Sequence, residues 1–332
     1  MLIENNFPKI SNQIYENDVH KVMENNFNQI ANFWVVHQAD WISGVYDVFK
    51  DHDKFLIIIY LLKRTFDFYS RNFVKLSIDQ FFLKKRLEIE KFNVIEVSQN
   101  LNMPKETARR KIIELENEGV IKRINKKIII DKSVFPRFRP DKASVKTAYF
   151  LNKFSRMLKK HKVLDKEISA EIIKKNIQNN FTYTWKLFYE LQLPIVNRWK
   201  VYFKDIVTWN IWGTCAISKT YNSEMKNTTR ITSEYIDELL TNKSTGLNAM
   251  TISDLTKIPR ATVVRKLKNL VSSKHLVIDK KKCYHPSSVH IKDINNIQKE
   301  NSKVLATFAT KIFNIILHSE NKIDFPFKDK SS

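Results

Sequence analysis

Along most of this 332-residue chain, apolar residues recur at three- and four-residue spacing, the period of helices that pack by one face. Two segments add dense aromatics to that pattern. The first contains Trp34, Trp41, Tyr46, Phe49, Phe55, Tyr60 and Phe66; the second contains Trp185, Phe188, Trp199, Tyr202, Phe203, Trp209 and Trp212. Glycines are few and strand-like alternation is missing, so both segments are expected to be packed helices with these rings in the core. An effector pocket or a dimer surface is the other use such rings serve.

After the first aromatic segment the pattern shortens. In "NVIEVSQNLNMPKETARRKIIELENEGVIKRINKKIIID" (93–131), Val94, Val97 and Leu101 share one face of a short helix before "NMP" interrupts. Pro104 suits the first turn of a second helix, where its missing N–H has no partner to lose. Ala108, Ile112 and Leu115 then form an inward stripe, and Gly119 supplies the stop. "VIKRI" and "IIID" flank a basic "NKK", which predicts a two-stranded hairpin. Two short helices joined by a tight turn make a helix-turn-helix, and the hairpin makes it winged.

The phrase recurs 155 residues later as "ISDLTKIPRATVVRKLKNLVSSKHLVIDKKKCYHP". Pro259 opens its second helix, Val263, Leu267 and Leu270 point inward, and a "DKKK" loop separates two strands. Lys274 stands in the place of Gly119, so that helix must stop by other means. Ungapped pairs include Ser98 with Ser253, Arg110 with Arg265, and Lys111 with Lys266. Upstream, "FKD" at 49–51 returns at 203–205 at nearly the same offset, which extends the repeat to a whole domain. The expected fold is therefore mainly α with small β-wings and internally duplicated. An N-terminal extension (1–19) precedes a first helical plus winged-helix domain (20–165, winged helix about 78–131). A second such domain follows (166–320, winged helix about 231–286), then a tail (321–332). Closing helices are expected near 143–161 and 294–318.

Charge falls on the same places. The net charge is +22, and residues 84–162 and 254–303 hold +13 and +8 of it, leaving the other 203 residues almost neutral. A codon bias toward lysine would spread evenly; two local clusters are instead electrostatic footprints for a polyanion.

The phrase P-x-x-T-x-x-R-K-[IL]-x-x-L followed by a basic hairpin resembles the winged helix-turn-helix of bacterial MarR-like and IclR-like regulators. The resemblance covers about 40 residues per copy and does not extend to the aromatic helices. It implies that the N-terminal end of each second helix enters the major groove. With the apolar stripe inward, Lys105, Glu106, Arg109 and Arg110 face out. The arginines can donate to guanine or clamp phosphate, and Glu106 can accept from cytosine. In the second copy Arg260 and Arg265 take that position, with Ala261 and Val264 able to meet thymine methyls. Thr107 and Thr262 are expected on phosphate or as local caps, with Lys111 and Lys266 positioning the helix on the backbone. Wing contacts to phosphate or the minor groove fall to Arg123, Lys126 and Lys127, and to Lys280, Lys281 and Lys282.

Other signals are weaker. "PRFRP" at 136–140 lacks the central glycine of an AT-hook, leaving Arg137 and Arg139 as phosphate contacts on a linker. Four scattered glycines exclude a phosphate-binding loop, and Cys283, His285 and His290 lack a fourth metal ligand. "KDHDK" at 50–54 fits a turn between helices whose aspartates cap the second. "EMK" at 224–226 only faintly echoes a nuclease pattern, so no enzyme, metal or cofactor is expected. Two cysteines far apart argue for a reducing compartment, and the longest apolar run, "FLIIIYLL", is too short to span a bilayer. A cytoplasmic, nucleoid-associated protein with double-stranded DNA as partner follows. It is expected to be a sequence-specific transcriptional regulator, either a pseudo-dimer within one chain or a homodimer, with any small-molecule effector unknown. The rival readings are a plasmid-type replication initiator and a winged-helix scaffold that binds protein without DNA.

Overall fold

A computed structural model describes residues 12–134, 139–222, 231–241 and 246–319. Arg137, the "EMK" stretch and the tail from 321 lie outside these residues. The chain opens with α1 (Glu16–Asn25), α2 (Asn28–Phe49) and α3 (His52–Arg71), and a short α4 (Ile78–Leu83) leads into strand β1 (Arg86–Ile89). Next come α5 (Val94–Asn100), α6 (Lys105–Asn117), the hairpin β2 (Ile121–Ile124) and β3 (Lys127–Asp131), and α7 (Asp141–Lys160). The second half runs α8 (Ala170–Asn179), α9 (Phe181–Phe203), α10 (Ile206–Asn222) and α11 (Thr232–Thr241). It closes with α12 (Ala249–Thr256), α13 (Arg260–Ser272), β4 (Leu276–Ile278), β5 (Tyr284–Pro286) and α14 (Ile291–Ser319). The described chain is thus mainly helical with two small antiparallel sheets.

The junctions between long helices follow from their sequences. α2 ends where Lys50 turns left-handed (φ 53°), and Asp51 then accepts from the Asp53 and Lys54 amides at 2.9 and 3.2 Å to start α3. A second junction of the same kind follows Phe203. There Lys204 is left-handed (φ 70°), and Asp205 accepts from the Thr208 amide at 2.8 Å at the start of α10. The "FKD" tripeptides are these two junctions.

Helices from both halves build one shared core. α1 packs on α14, α2 on α7 and α10, and α3 on α9. The aromatic segments meet there: Phe66 stacks on Tyr189 with centroids 6.2 Å apart, and Trp34 lies 5.3 Å from Phe150. Within α9, Trp185 and Phe188 stack at 4.6 Å. Most of these rings are buried in that core, as the helical spacing implies, with Tyr46 at its edge beside His52.

The first sheet has order β1–β3–β2, with Leu87 and Ile121 both registered against Ile130. β1 goes beyond the two-stranded hairpin that the sequence predicts; its four residues bury only Leu87 and Ile89, too brief an alternation to stand out from the helical pattern around it. In the second sheet β4 pairs with β5, and a single bridge from Leu247 to Tyr284 stands where a third strand would run.

His37 on α2 and His52 at the start of α3 are buried, and desolvation lowers each pKa from 6.5 to about 4. Unfolding restores the ordinary value, so between those pH values the unfolded chain binds more protons. Stability is complete above about pH 6.5 and falls on acidification, by up to ~1.4 kcal/mol per pH unit for each histidine. Thermal melts at stepwise lower pH are expected to show that decline, and His52→Gln to make it shallower.

Candidate nucleic-acid interface

Each of the helix pairs α5–α6 and α12–α13 is held by its own caps. Asn93 accepts from the Glu96 amide at 2.8 Å to start α5, and Ser98 Oγ donates to the Met103 carbonyl at 2.6 Å, tying the turn before α6. Asn248 starts α12 by accepting from the Thr251 amide at 3.0 Å, and Ser253 Oγ donates to the Ile258 carbonyl at 2.8 Å. Pro104 and Pro259 sit at the N-cap, one position earlier than the first helical residue. Ala108, Ile112 and Leu115 are buried, as are Val263, Leu267 and Leu270. α6 packs on α3, and α13 on α10.

Both second helices stop the same way. After α6, Gly119 is left-handed (φ 72°) and the Gly119 and Val120 amides donate back to Glu116 and Leu115 at 3.0 and 2.9 Å. After α13, Lys274 takes that conformation (φ 60°), with amides of Lys274 and His275 donating to Val271 and Leu270 at 3.0 and 2.9 Å. A side chain in the left-handed region costs energy that glycine avoids. Lys274→Gly is therefore expected to raise stability by roughly 1 kcal/mol in chemical denaturation.

On α6, Lys105, Glu106, Arg109 and Arg110 are all exposed, and Thr107 is half-buried. Arg109 lies 3.8 Å from Glu106, and Arg110 pairs with Glu114 at 3.1 Å. Lys111 departs from expectation: it turns inward to Asp51 at 2.6 Å and Glu114 at 3.0 Å and is not on the outer face. It lies one helical turn beyond the half-buried Thr107, on the side of α6 that leans toward α3 and its capping carboxylate. Lys54 extends the network to Glu114 and Glu118 at 3.0 and 2.5 Å. Burial opposes the charge on Lys111, but hydrogen bonds to Asp51 and Glu114 outweigh it and hold its pKa above the usual value.

The β2–β3 hairpin carries its basic residues outside. Asn125 and Lys126 are both left-handed (φ 49° and 64°), forming a tight turn that presents Lys126 at the tip. Arg123 pairs with Glu116 at 2.8 Å and lies over the Phe92 ring, and Lys127 pairs with Glu88 at 2.9 Å. Arg139 is engaged by Asp79 and Asp141 at 2.5 and 2.8 Å, so the expected phosphate contact there would have to displace two carboxylates.

The second module differs in its charge. Arg260 and Arg265 are exposed and have no acidic partner among the described residues, while Thr262 and Val264 are half-buried. Lys266, like Lys111, turns inward, here to the capping carboxylate of Asp205. Burial works against the Asp205 charge, but hydrogen bonds from Lys266 and Thr208 prevail and hold its pKa below the usual value. Lys280, Lys281 and Lys282 stay exposed on the β4–β5 loop. Asp279 shapes that loop by accepting from the Lys281 and Cys283 amides, both at 2.9 Å, and it also holds His285 at 2.9 Å. α13 contains four basic residues and no acidic one, whereas α6 has four basic and three acidic.

Residues 86–133, from β1 to just past β3, match the DeoR-like helix-turn-helix domain. No curated protein and no solved structure matches the chain. The match identifies a helix-turn-helix DNA-binding domain and supports a DNA-binding transcriptional regulator. It covers the first module, and the family it names is DeoR-like. Among the described residues no helix is long and apolar enough to cross a membrane.

Proposed function

We propose that the chain is a sequence-specific double-stranded DNA-binding transcriptional regulator, internally duplicated, that reads its site with two recognition helices, α6 and α13, and two basic wings. The observation that carries this reading is the pair of inward ties, Lys111 to Asp51 and Lys266 to Asp205. Each joins a recognition helix to the cap of the long helix beneath it, leaving Arg109 and Arg110, or Arg260 and Arg265, on the outer face. Matching serine and asparagine caps support the duplication, with copies at 20–165 and 166–320 that share one core.

The protein would work in the cytoplasm on the nucleoid, without an enzymatic step. Its basic residues neutralise phosphates and release counterions, while the helix tips meet base edges. Because "KETARR" and "RATVVR" differ, the preferred site is an asymmetric pair of half-sites. Selection of bound sequences from random duplex DNA, followed by titration at several salt concentrations, tests this. The expected result is one enriched asymmetric site whose affinity falls steeply with salt. Tandem repeated sites would favour a plasmid-type initiator, and absent or salt-insensitive binding would leave the protein-scaffold reading. A homodimer would double the site.

A further inference from the structure

Between α2, α9, α10, α11 and α14 lies a cleft with a cavity volume of about 110 Å³, partly open to solvent. Four of the chain's six tryptophans, Trp34, Trp199, Trp209 and Trp212, form its walls together with aliphatic side chains. Among the described residues no charged side chain lines it.

Several polar groups border this space. Both amide atoms of Gln38, Nδ2 of Asn210 and Nε1 of Trp212 are buried with no hydrogen-bond partner among the described residues. Those three residues are 8%, 5% and 6% exposed, and all three line the cleft. Buried donors and acceptors left unpaired are costly, and a core that only needed filling would not keep three such residues around one space. Gly213 adds a further sign: a Cβ built there meets nothing within 4 Å, so this stretch of α10 faces open room.

We infer that this cleft is a binding site for a small, neutral, planar aromatic molecule bearing an amide or similar donor–acceptor group. Indole walls receive a flat ring. Side-chain rotation on binding, which brings these buried atoms to the cleft surface, lets the Gln38 amide donate and accept, and Asn210 Nδ2 and Trp212 Nε1 donate to a carbonyl oxygen. An ionised ligand is disfavoured, since no lining charge would offset its desolvation. This inference does not depend on DNA binding.

Calorimetric titration of the full chain tests it, using naphthalene, quinoline and indole carboxamides, each beside its carboxylate. At least one carboxamide is expected to bind at one per chain and to change tryptophan fluorescence, with its carboxylate at least tenfold weaker. Gly213→Leu should abolish that binding by filling the cleft. Asn210→Leu, which keeps the volume and removes the donor, should weaken it about tenfold without lowering the melting temperature. The inference is overturned if no carboxamide binds, if carboxylates bind equally well, or if Gly213→Leu leaves binding intact. Should Gly213→Leu fail to fold, unchanged binding by Asn210→Leu overturns it.

Discussion

Replacing Arg260 and Arg265 together by alanine is expected to lower affinity for duplex DNA about a hundredfold, at roughly one to two kcal/mol per arginine. The log–log dependence on salt should flatten by about two, since each phosphate neutralised contributes about one to that slope. These arginines stand out because nothing acidic on α13 competes for them; the helix has four basic residues and no carboxylate. On α6 the two exposed arginines already face Glu106 and Glu114. Arg109→Ala with Arg110→Ala should therefore flatten the salt slope less than the α13 pair and alter base preference more, because Glu106 remains to discriminate. Fluorescence anisotropy across a salt series, with circular dichroism to confirm folding, separates the two effects. Equal losses from both pairs, or none from the α13 pair, would remove the proposed division of labour.

Much of this arrangement is legible in the sequence because it rests on local rules. The inward stripes, the stop at Gly119, the cap at Asp51 and the closing helices all follow from a period of 3.6 or a capping preference. α7 and α14 begin and end within three residues of expectation. What the sequence hides is non-local. β1 gains its meaning only beside β3, and the interleaving of α1 with α14 and α3 with α9 has no signature along the chain. The inward turn of Lys111 and Lys266 belongs to this class as well. A basic residue that follows an arginine points to phosphate, yet the partners of both lysines lie about sixty residues upstream, in the "FKD" repeats. The tripeptide and the lysine recur at nearly one offset, a signal that becomes readable only once the two distant segments are paired.

Those ties make a separate prediction about stability. Lys111→Met is expected to cost about 2 kcal/mol in urea denaturation, because it leaves the half-buried Asp51 carboxylate without its cation while Glu114 keeps Lys54 and Arg110. Asp51→Asn keeps an N-cap acceptor for α3, so the double variant Asp51→Asn, Lys111→Met should be more stable than Lys111→Met alone. At the second tie Asp205 is more open, with its side chain 36% exposed against 24% for Asp51, so Lys266→Met should cost less, about 1 kcal/mol. A positioning role and a phosphate-contacting role for Lys266 then part company. If it positions α13, Lys266→Met lowers stability and leaves the salt slope of DNA binding unchanged in the folded protein. A slope reduced by about one, with stability intact, would return Lys266 to the phosphate backbone.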